Sequence, residues 1–488
     1  MSSTLLRNVR RAGQDAPGDL LVAGGRIRPL SERTPDTVEV DLEGRFAGPG
    51  LWDAHVHVGQ WALRSSRLDV SSGSSALETA ELVHAHLRVH PQPPETVLVG
   101  QGFRDGLWPD EPTAALLDAV PAPVALVSGD VHTVWSNAAA LRIMGLPETD
   151  WWLREQPAFD LNVRLSDVPA STLDRWVIDA AERAAMRGVV GIRDFEFDDA
   201  VGAWSRRFGT GFRGIRVDAL IYPAHLDAAI AAGHRTGAEL GGLLTVGRLK
   251  LFTDGSLNTR TAWCDDDYPG LHGAEASGLP TYAPGELLAA ARRGADAGIV
   301  PTIHAIGDRA TSEALDTFEA LELPAGGPRG SIQHAQLVRD ADLPRFARLG
   351  VVASVQPEQA MDDRDVADHY WAGRTGRSFA LRSLLEAGAE LEMGSDAPVA
   401  PLDPWVTIAA AVTRRRDGRE PWHPEQAIGV EEALRASQGG VLALAEGGVA
   451  DIVITDEDPR RVDPDVLRTM PVHATMVAGE WSYLSVVE

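Results

Sequence analysis

Three features that mark other classes of protein are absent or nearly absent from the sequence. Its 488 residues include a single cysteine, Cys264, so no internal disulfide forms, as is typical of proteins of a reducing cytoplasm. No run of 18 or more apolar residues is present, and we therefore expect no transmembrane helix. Residues 1–17 lack the apolar core of a secretory signal. The sequence thus predicts a cytoplasmic protein.

Positive charge is also scarce. The chain has 45 lysines and arginines against 70 aspartates and glutamates, which gives a net charge of −25 at pH 7. Nucleic acids and anionic membranes bind basic surfaces, so the sequence argues against both as partners. The expected partner is a small-molecule substrate, and a homodimer is left open.

Lysine itself is almost missing. Lys250 is the only lysine, and the other 44 basic residues are arginines. Arginine stays protonated and does not react with CO2 under mild conditions, whereas a neutral lysine amine does. A lysine retained where arginine is otherwise used indicates a position whose chemistry requires lysine, although chance survival is the alternative.

The composition, 44% hydrophobic and 24% charged, is that of a globular protein with a sizeable core. Short runs rich in valine and isoleucine alternate with helical stretches between residues 49 and 447. This alternation predicts an α/β fold with a parallel sheet, and eight such strands predict a (β/α)8 barrel of the TIM type. The eight runs are Leu51–His57, Val189–Phe195, Ile215–Tyr222, Val246–Phe252, Ile299–His304, Ser331–His334, Val351–Gln356 and Leu391–Asp396.

Two further regions surround this pattern. Strand-like runs at both ends of the chain, residues 1–48 and 448–488, predict a small composite β-sandwich domain. Residues 58 to about 185 are too many for one connection between neighbouring strands. We expect them to form an insertion that folds over the barrel mouth as a lid, where inserted loops tend to carry binding residues.

The first predicted strand ends in two histidines separated by one residue, His55 and His57. Side chains alternate between faces along a strand, so both point the same way, and neutral imidazole is the commonest metal ligand. Hydrogen-bonded core histidines are the alternative. The same spacing recurs at His84 and His86, but within a predicted helix, Ala76–Val89, where residues two apart do not face each other. We expect no metal role for that second pair.

Four other predicted strands end in or contain a candidate ligand: Lys250, His304, His334 and Asp396. Each alone has an ordinary structural explanation. Reactive groups of such barrels gather at the carboxyl ends of the strands, and a polar cluster of this size without a metal would be costly to bury. With His55 and His57, the set therefore predicts a metal centre.

The motifs that carry these residues resemble those of the metal-dependent amidohydrolase superfamily. The resemblance is to its YtcJ-like branch, amidohydrolase family 3, which includes N-substituted formamide deformylases. It rests on Asp53–His57, Lys250–Leu257, Ile303–Asp308, Gln333–His334 and Gly394–Asp396, and extends to Gly448–Val453 near the end of the chain.

The resemblance implies a role for each candidate ligand. His55, His57 and Asp396 would bind one metal, and a CO2-derived carbamate on Lys250 would bridge to a second metal at the remaining pair, His304 and His334. Zn2+ is the expected ion, one or two per chain, and manganese, iron and nickel stay open. Asp396 would also be catalytic, passing a proton from water to the leaving nitrogen. A one-metal site without the carbamate is the alternative.

Substrate contacts are expected from four more residues. His132 lies in a segment, Gly129–Asn137, that resembles the family's Asp-Gly-His-Ser segment, with Val131 where glycine is more usual. The resemblance implies that His132 faces the substrate. Arg104 and Trp108 belong to the predicted insertion, where a tryptophan is equally expected to anchor packing. Asp194 ends the second strand and would support the site or make a structural hydrogen bond.

The predicted function is a metal-dependent hydrolase that cleaves a non-peptide C–N bond, an amide or N-substituted formamide of a small molecule, through a metal-activated hydroxide. A deaminase, a cyclic amidase or a lactonase would use the same site and is the first alternative. A non-catalytic scaffold of the same fold is the second. All six ligand positions carry competent residues, which favours an enzyme.

Overall fold

The computed structural model describes residues 3–14, 16–105, 108–128, 133–154, 156–324 and 326–485. The chain divides into two compact units. The larger comprises residues 1–58 and 181–488, and the smaller comprises residues 59–180.

Eight parallel strands form the centre of the larger unit, and each pairs with the next along the chain. The first and eighth meet through a parallel bridge between Val56 and Ala397 and a 2.7 Å hydrogen bond from the Asp396 amide to the His55 carbonyl. The sheet is therefore the predicted (β/α)8 barrel. Its strands are Leu51–Val56, Val189–Asp194, Arg216–Ile221, Leu244–Phe252, Pro301–Ala305, Ser331–His334, Val352–Val355 and Leu391–Met393.

Helices follow the strands of the barrel and pack on its outer face. Alternation along each strand separates the two faces: Ile303 belongs to the hydrophobic core under the helices, whereas the next residue, His304, contacts the ring of His334. A short strand, Glu239–Gly241, pairs antiparallel with the fourth barrel strand. The helices of this unit are Ala200–Gly209, Pro223–Ala231, Glu286–Asp296, Asp308–Leu321, Leu343–Leu349, Gln359–Tyr370, Leu381–Glu386, Pro404–Thr413 and Val430–Ala436.

The eighth strand is shorter than the sequence suggested. We expected it to run to Asp396, but it ends at Met393. Asp396 has a φ of +58°, a left-handed backbone conformation that an extended strand does not accommodate. The chain therefore turns after Met393, and Asp396 lies in this turn rather than in the strand.

Strands from the two ends of the chain form one β region within the larger unit. They make an eight-stranded sheet in which Ile452–Thr455 pairs antiparallel with Phe46–Pro49. Leu6, Val22 and Met476 lie in its hydrophobic core. The remaining strands are Ser3–Arg11, Gly18–Ala23, Arg26–Arg28, Val38–Asp41, Val472–Val477 and Glu480–Leu484.

The smaller unit is the insertion after the first barrel strand. Its five-stranded sheet packs against Ala76–Val89, the helix predicted with these bounds, and Ser75 caps that helix by accepting a hydrogen bond from the Glu78 amide. The strands are Leu68–Asp69, Leu98–Phe103, Val124–Ser128, Thr133–Ser136 and Trp152–Arg154. Further helices are Ala114–Asp118, Ala138–Met144 and Gln156–Ser166, with Val58–Ser66 and Ala170–Ala185 at the two boundaries. No helix in the described ranges is both long and apolar enough to cross a membrane.

Candidate metal centre

The ends of the first and eighth barrel strands, with the residues that directly follow them, bring three ligand-type side chains together. The Nε2 atoms of His55 and His57 each lie 3.5 Å from Oδ1 of Asp396. One ligand atom from each residue lies within 4.8 Å of the others, and no other such group of His, Cys, Asp and Glu occurs among the described residues. All three side chains are at most 13% exposed. Two imidazoles and a carboxylate at this separation suit one divalent cation.

A close approach of the backbone makes this convergence possible. A Cβ atom at Gly394 would lie 2.5 Å from the backbone nitrogen of His55, so only glycine lets the eighth strand approach the first this closely. Asp53 ties the two strands together, because its Oδ1 accepts hydrogen bonds from the amides of His55 (3.1 Å) and Ser395 (2.9 Å).

The fifth and sixth strands add two further histidines beside this group. The ring centroid of His334 lies 4.5 Å from that of His304 and 5.3 Å from that of His55. Nδ1 of His334 is buried without a hydrogen-bond partner. Buried polar atoms are normally satisfied, so an unpartnered imidazole nitrogen in a cluster of histidines fits a metal ligand.

Lys250 lies in the interior of the fourth strand and is 1% exposed. Its Nζ is 4.6 Å from the ring centroid of Phe195 and 4.8 Å from that of Phe252. Burial lowers the pKa of the Lys250 ammonium group, and the Asp396 carboxylate partly opposes this effect. Burial thus increases the fraction of neutral amine, the form that reacts with CO2.

Burial also keeps the histidines neutral. It is the main cause that lowers the pKa of all four, to about 4 for His57 and about 3 for His304, and the Lys250 charge lowers each further. Neutral imidazole is the form that binds metals. Burial raises the pKa of Asp396 above its usual value, against the stabilising charge of Lys250.

Hydrogen bonds fix which nitrogen of His55 faces the site. Nδ1 lies 2.8 Å from Oε1 of Gln333, whose amide nitrogen donates to Thr302 Oγ1 at 2.8 Å. Because Oε1 is an acceptor, Nδ1 carries the proton, and the lone pair of Nε2 faces Asp396. Such outer hydrogen bonds orient metal ligands, and sequence analysis assigned no role to Gln333 itself.

His304 is oriented in a comparable way from the opposite nitrogen. Its Nε2 lies 3.0 Å from the carbonyl oxygen of Gly255 and 3.5 Å from Oδ1 of Asp254, which leaves the lone pair on Nδ1. The Asp254 carboxylate accepts hydrogen bonds from three backbone amides, those of Trp263, Ile306 and Gly307. Burial raises the pKa of Asp254 to about 7. Asp254 therefore anchors the loops around His304.

The seventh strand also contributes, although sequence analysis assigned no site residue to it. Gln359 donates a hydrogen bond to Oδ2 of Asp396 at 2.9 Å, and Gln356 lies 3.5 Å from Nδ1 of His55. Gln356 follows directly after the buried run Val352–Val355, and Gln359 is the first residue of the next helix, Gln359–Tyr370. Applying the strand-end criterion to amides as well as to histidine and aspartate would have found Gln356 but not Gln359.

The four predicted substrate contacts lie in different surroundings. Asp194 is fully buried and accepts hydrogen bonds from Trp204 Nε1 (2.7 Å) and from the amides of Glu196 (3.0 Å) and Val58 (3.3 Å). Because these three hydrogen bonds occupy its carboxylate, Asp194 makes the structural hydrogen bonds that were the alternative to a substrate contact.

The other three predicted contacts belong to the insertion. Trp108 packs against Phe103 and Trp135 in the core of the smaller unit, the packing alternative considered for it. Arg104 is exposed in the same unit. His132 lies outside the described residues.

A (β/α)8 barrel that brings histidines, a lysine and an aspartate together at one mouth fits the class of metal-dependent hydrolases. The amidohydrolase family profile matches residues 38–483, nearly the whole chain. The chain belongs to the amidohydrolase family, as its motifs predicted.

Relatives match along almost their full length. The chain is 26% identical to a putative amidohydrolase YtcJ of Bacillus subtilis (strain 168), over 94% of this chain and 93% of that one. It is also 26% identical to the N-substituted formamide deformylase of Arthrobacter pascens, over 95% and 94%. Among solved structures, an uncharacterized metal-dependent hydrolase from Pyrococcus horikoshii OT3 aligns with a TM-score of 0.77 and 25% identity, over 95% and 99% of the two chains.

Proposed function

We propose that the protein hydrolyses a non-peptide C–N bond of a small molecule, an amide or N-substituted formamide. The observation that carries the proposal is the convergence of His55, His57 and Asp396 at the barrel mouth. The similarity to an N-substituted formamide deformylase supports the substrate class.

In this proposal the six predicted ligands hold two divalent ions, with Zn2+ the best match to nitrogen and oxygen donors. His55, His57 and Asp396 would hold one ion, and His304 and His334 would hold the other, with a carbamate on Lys250 as a further ligand. A bound divalent ion supplies Lewis acidity and lowers the pKa of water, so that a nucleophile is present at neutral pH.

The protein's own groups then manage the protons. Oδ2 of Asp396 is held by Gln359, and Oδ1 faces the two imidazoles. The carboxylate of Asp396 therefore has a fixed orientation at the site. This property suits a group that accepts a proton from the attacking water and passes it to the leaving nitrogen.

The test is a screen of N-formyl and N-acyl compounds with zinc-loaded protein, measuring release of the amine and of formate or carboxylate. Lactones, cyclic amides and aminated heterocycles are the competing arms. The expected result is amine release from open-chain amides or formamides. The proposal would be overturned if only lactones, cyclic amides or aminated heterocycles were hydrolysed, or if no compound in the screen were hydrolysed. The matched control is the double variant His55→Ala/His57→Ala, which must be inactive on every hit.

A further inference from the structure

Four residues that follow the seventh barrel strand, Gln356–Gln359, form a link between the metal centre and the end of the chain. All three polar side chains of this segment are almost fully buried, with exposures of 1% for Gln356, 2% for Glu358 and 7% for Gln359. The segment is a tight turn, in which the Gln359 amide donates to the Gln356 carbonyl at 3.1 Å. We refer to residues 356–359 as the glutamine turn.

Gln359 sets the orientation of the Asp396 carboxylate. Its Nε2 donates to Oδ2 at 2.9 Å, which leaves Oδ1 facing His55 and His57 at 3.5 Å from each. The terminal torsion of an aspartate is broad and easily rotated. Removing this donor would leave the carboxylate free to rotate, so that Oδ2 could take the place of Oδ1 beside the imidazoles.

Glu358 anchors the glutamine turn on its other side. Oε1 accepts hydrogen bonds from Nη1 of Arg416 (3.0 Å) and Nη1 of Arg468 (2.9 Å), and Oε2 accepts one from Nη2 of Arg468 (2.9 Å). The Glu358 side chain is 3% exposed, and the arginines are 30% and 27% exposed. A two-pronged arginine–carboxylate contact fixes geometry as well as charge, and a buried carboxylate requires such partners.

The anchoring arginine comes from a distant part of the chain. Arg468 lies in the short helical segment Pro464–Thr469, which carries no predicted ligand. We propose that Arg468 and Arg416 hold Glu358 so that the adjacent Gln359 keeps Asp396 oriented toward His55 and His57. Gln359, Glu358 and Arg468 are thus positioning residues for the metal centre, although neither Glu358 nor Arg468 contacts it.

The first experiment compares two arginines of neighbouring ion pairs. Arg468→Met removes the two-pronged contact with Glu358 and leaves the single contact of Arg416. Arg415→Met is the matched control, because Arg415 pairs with Asp465 in the same terminal segment, but on the surface, with exposures of 44% and 59%. Zinc affinity is measured by competition with a chromophoric chelator. We expect Arg468→Met to weaken zinc binding about tenfold, within the range found for residues that orient metal ligands, and Arg415→Met to leave it unchanged. Equal affinities in the two variants would overturn the proposal.

The second experiment tests whether Arg468 acts through Gln359. Gln359→Met keeps the length of the side chain but removes the donor, and it is combined with Arg468→Met in a double-mutant cycle on zinc affinity. If both residues act by orienting Asp396, their substitutions should not have additive effects on zinc affinity. The double variant should then bind zinc at most about threefold more weakly than whichever single variant has the lower affinity. Additive losses would show that Arg468 acts independently of Gln359, which contradicts the proposal.

A graded variant separates positioning from loss of folding. Arg468→Lys keeps one charge but not the two-pronged contact, and we expect zinc affinity between those of the parent protein and Arg468→Met. Urea unfolding of each variant accompanies the titrations. If zinc affinity falls only in proportion to a loss of folded protein, the positioning role is refuted. This inference rests on the proposed function, because that function assigns the metal centre. Zinc affinity, however, is measured without substrate. A failed substrate screen therefore leaves this test intact.

Discussion

The chain contains the same His-x-His spacing in two regions, once at the end of a strand and once within a helix. His55 and His57 point to one side of the barrel, with ring centroids 5.6 Å apart and both Nε2 atoms facing Asp396. In the helix Ala76–Val89, the ring of His86 instead neighbours that of His90, four residues further on, at 4.9 Å. Successive side chains are about 100° apart around a helix. His84 and His86 therefore face different sides of the helix and cannot bind the same metal ion.

The surroundings of the two pairs differ as much as their geometry. Gln333 and Asp53 hold His55 by hydrogen bonds to its ring and its backbone. His84 and His86 lie half-buried on a helix of the insertion. A metal-binding pair therefore needs a strand to align the rings and outside residues to hold them, and the spacing alone guarantees neither.

The largest expected effect comes from removing each pair in turn. His55→Ala/His57→Ala should lose bound zinc and reduce activity by at least about a hundredfold, because ligands of the ion disappear. His84→Ala/His86→Ala should keep the zinc content and the kcat of the parent protein. Elemental analysis of both purified variants, with activity before and after chelator treatment, checks this. Equal zinc loss in the two variants would remove the distinction between strand and helix.

The next effect is that of Lys250→Arg, which keeps a positive charge beside the strand pair. An arginine cannot lose its proton or form a carbamate, and a fixed cation a few ångströms from metal ions repels them. We expect activity to fall by orders of magnitude and zinc content to drop by about one ion per chain. Near-normal activity and zinc content would refute the carbamate role.

Lys250→Ala provides the companion measurement. It also removes the bridge, but leaves space for a small carboxylate. Added acetate or bicarbonate should therefore restore part of the activity of Lys250→Ala and none of the activity of Lys250→Arg. Rescue of both variants, or of neither, would point away from a bridging carboxylate at this position.

A smaller effect is expected where the backbone approaches the strand pair. Gly394→Ala would place a Cβ 2.5 Å from the backbone nitrogen of His55, and relief of such a clash costs about 1–3 kcal/mol. Urea unfolding should show this loss, together with weaker zinc binding. Gly209→Ala is the control, because an added Cβ at this helix-terminal position meets nothing within 4 Å and should leave zinc affinity unchanged. Unfolding free energies that agree for the two variants would show that the close approach relaxes freely.

The smallest effect is expected from the aromatic neighbour of each histidine pair. Phe197 stacks on His57 with centroids 5.1 Å apart and is 52% exposed. Its removal should weaken zinc binding only severalfold, the equivalent of an aromatic contact of about 0.5–1.5 kcal/mol. His90→Ala, which removes the neighbour of His86, should not change zinc binding at all. A loss in Phe197→Ala as large as that in the histidine variants would mean that Phe197 holds the site together.

The class of fold and the grouping of the candidate ligands were predictable because each depends on simple rules of strand geometry. A strand exposes alternate residues on one face, so two histidines two residues apart at a strand end had to face the same way. The carboxyl ends of barrel strands meet at one mouth, so His304, His334 and Asp396 could be grouped without coordinates. Lys250, the one lysine in a chain whose other basic residues are arginines, indicated a chemical requirement for lysine. That inference needs only the residue type and no structure.

The tertiary structure decided what surrounds those ligands. The contacts of Gln333 with His55 and of Gln359 with Asp396 join residues 278 and 37 positions apart, and no periodic pattern relates them. The turn that ends the eighth strand at Met393, and the need for glycine at position 394, follow from how closely two strands approach. The sequence by itself determined which side chains can bind a metal, because that depends on their type and on local backbone period. Only the folded chain decided how each is held, because hydrogen bonds and close packing depend on distances between segments that are remote in sequence.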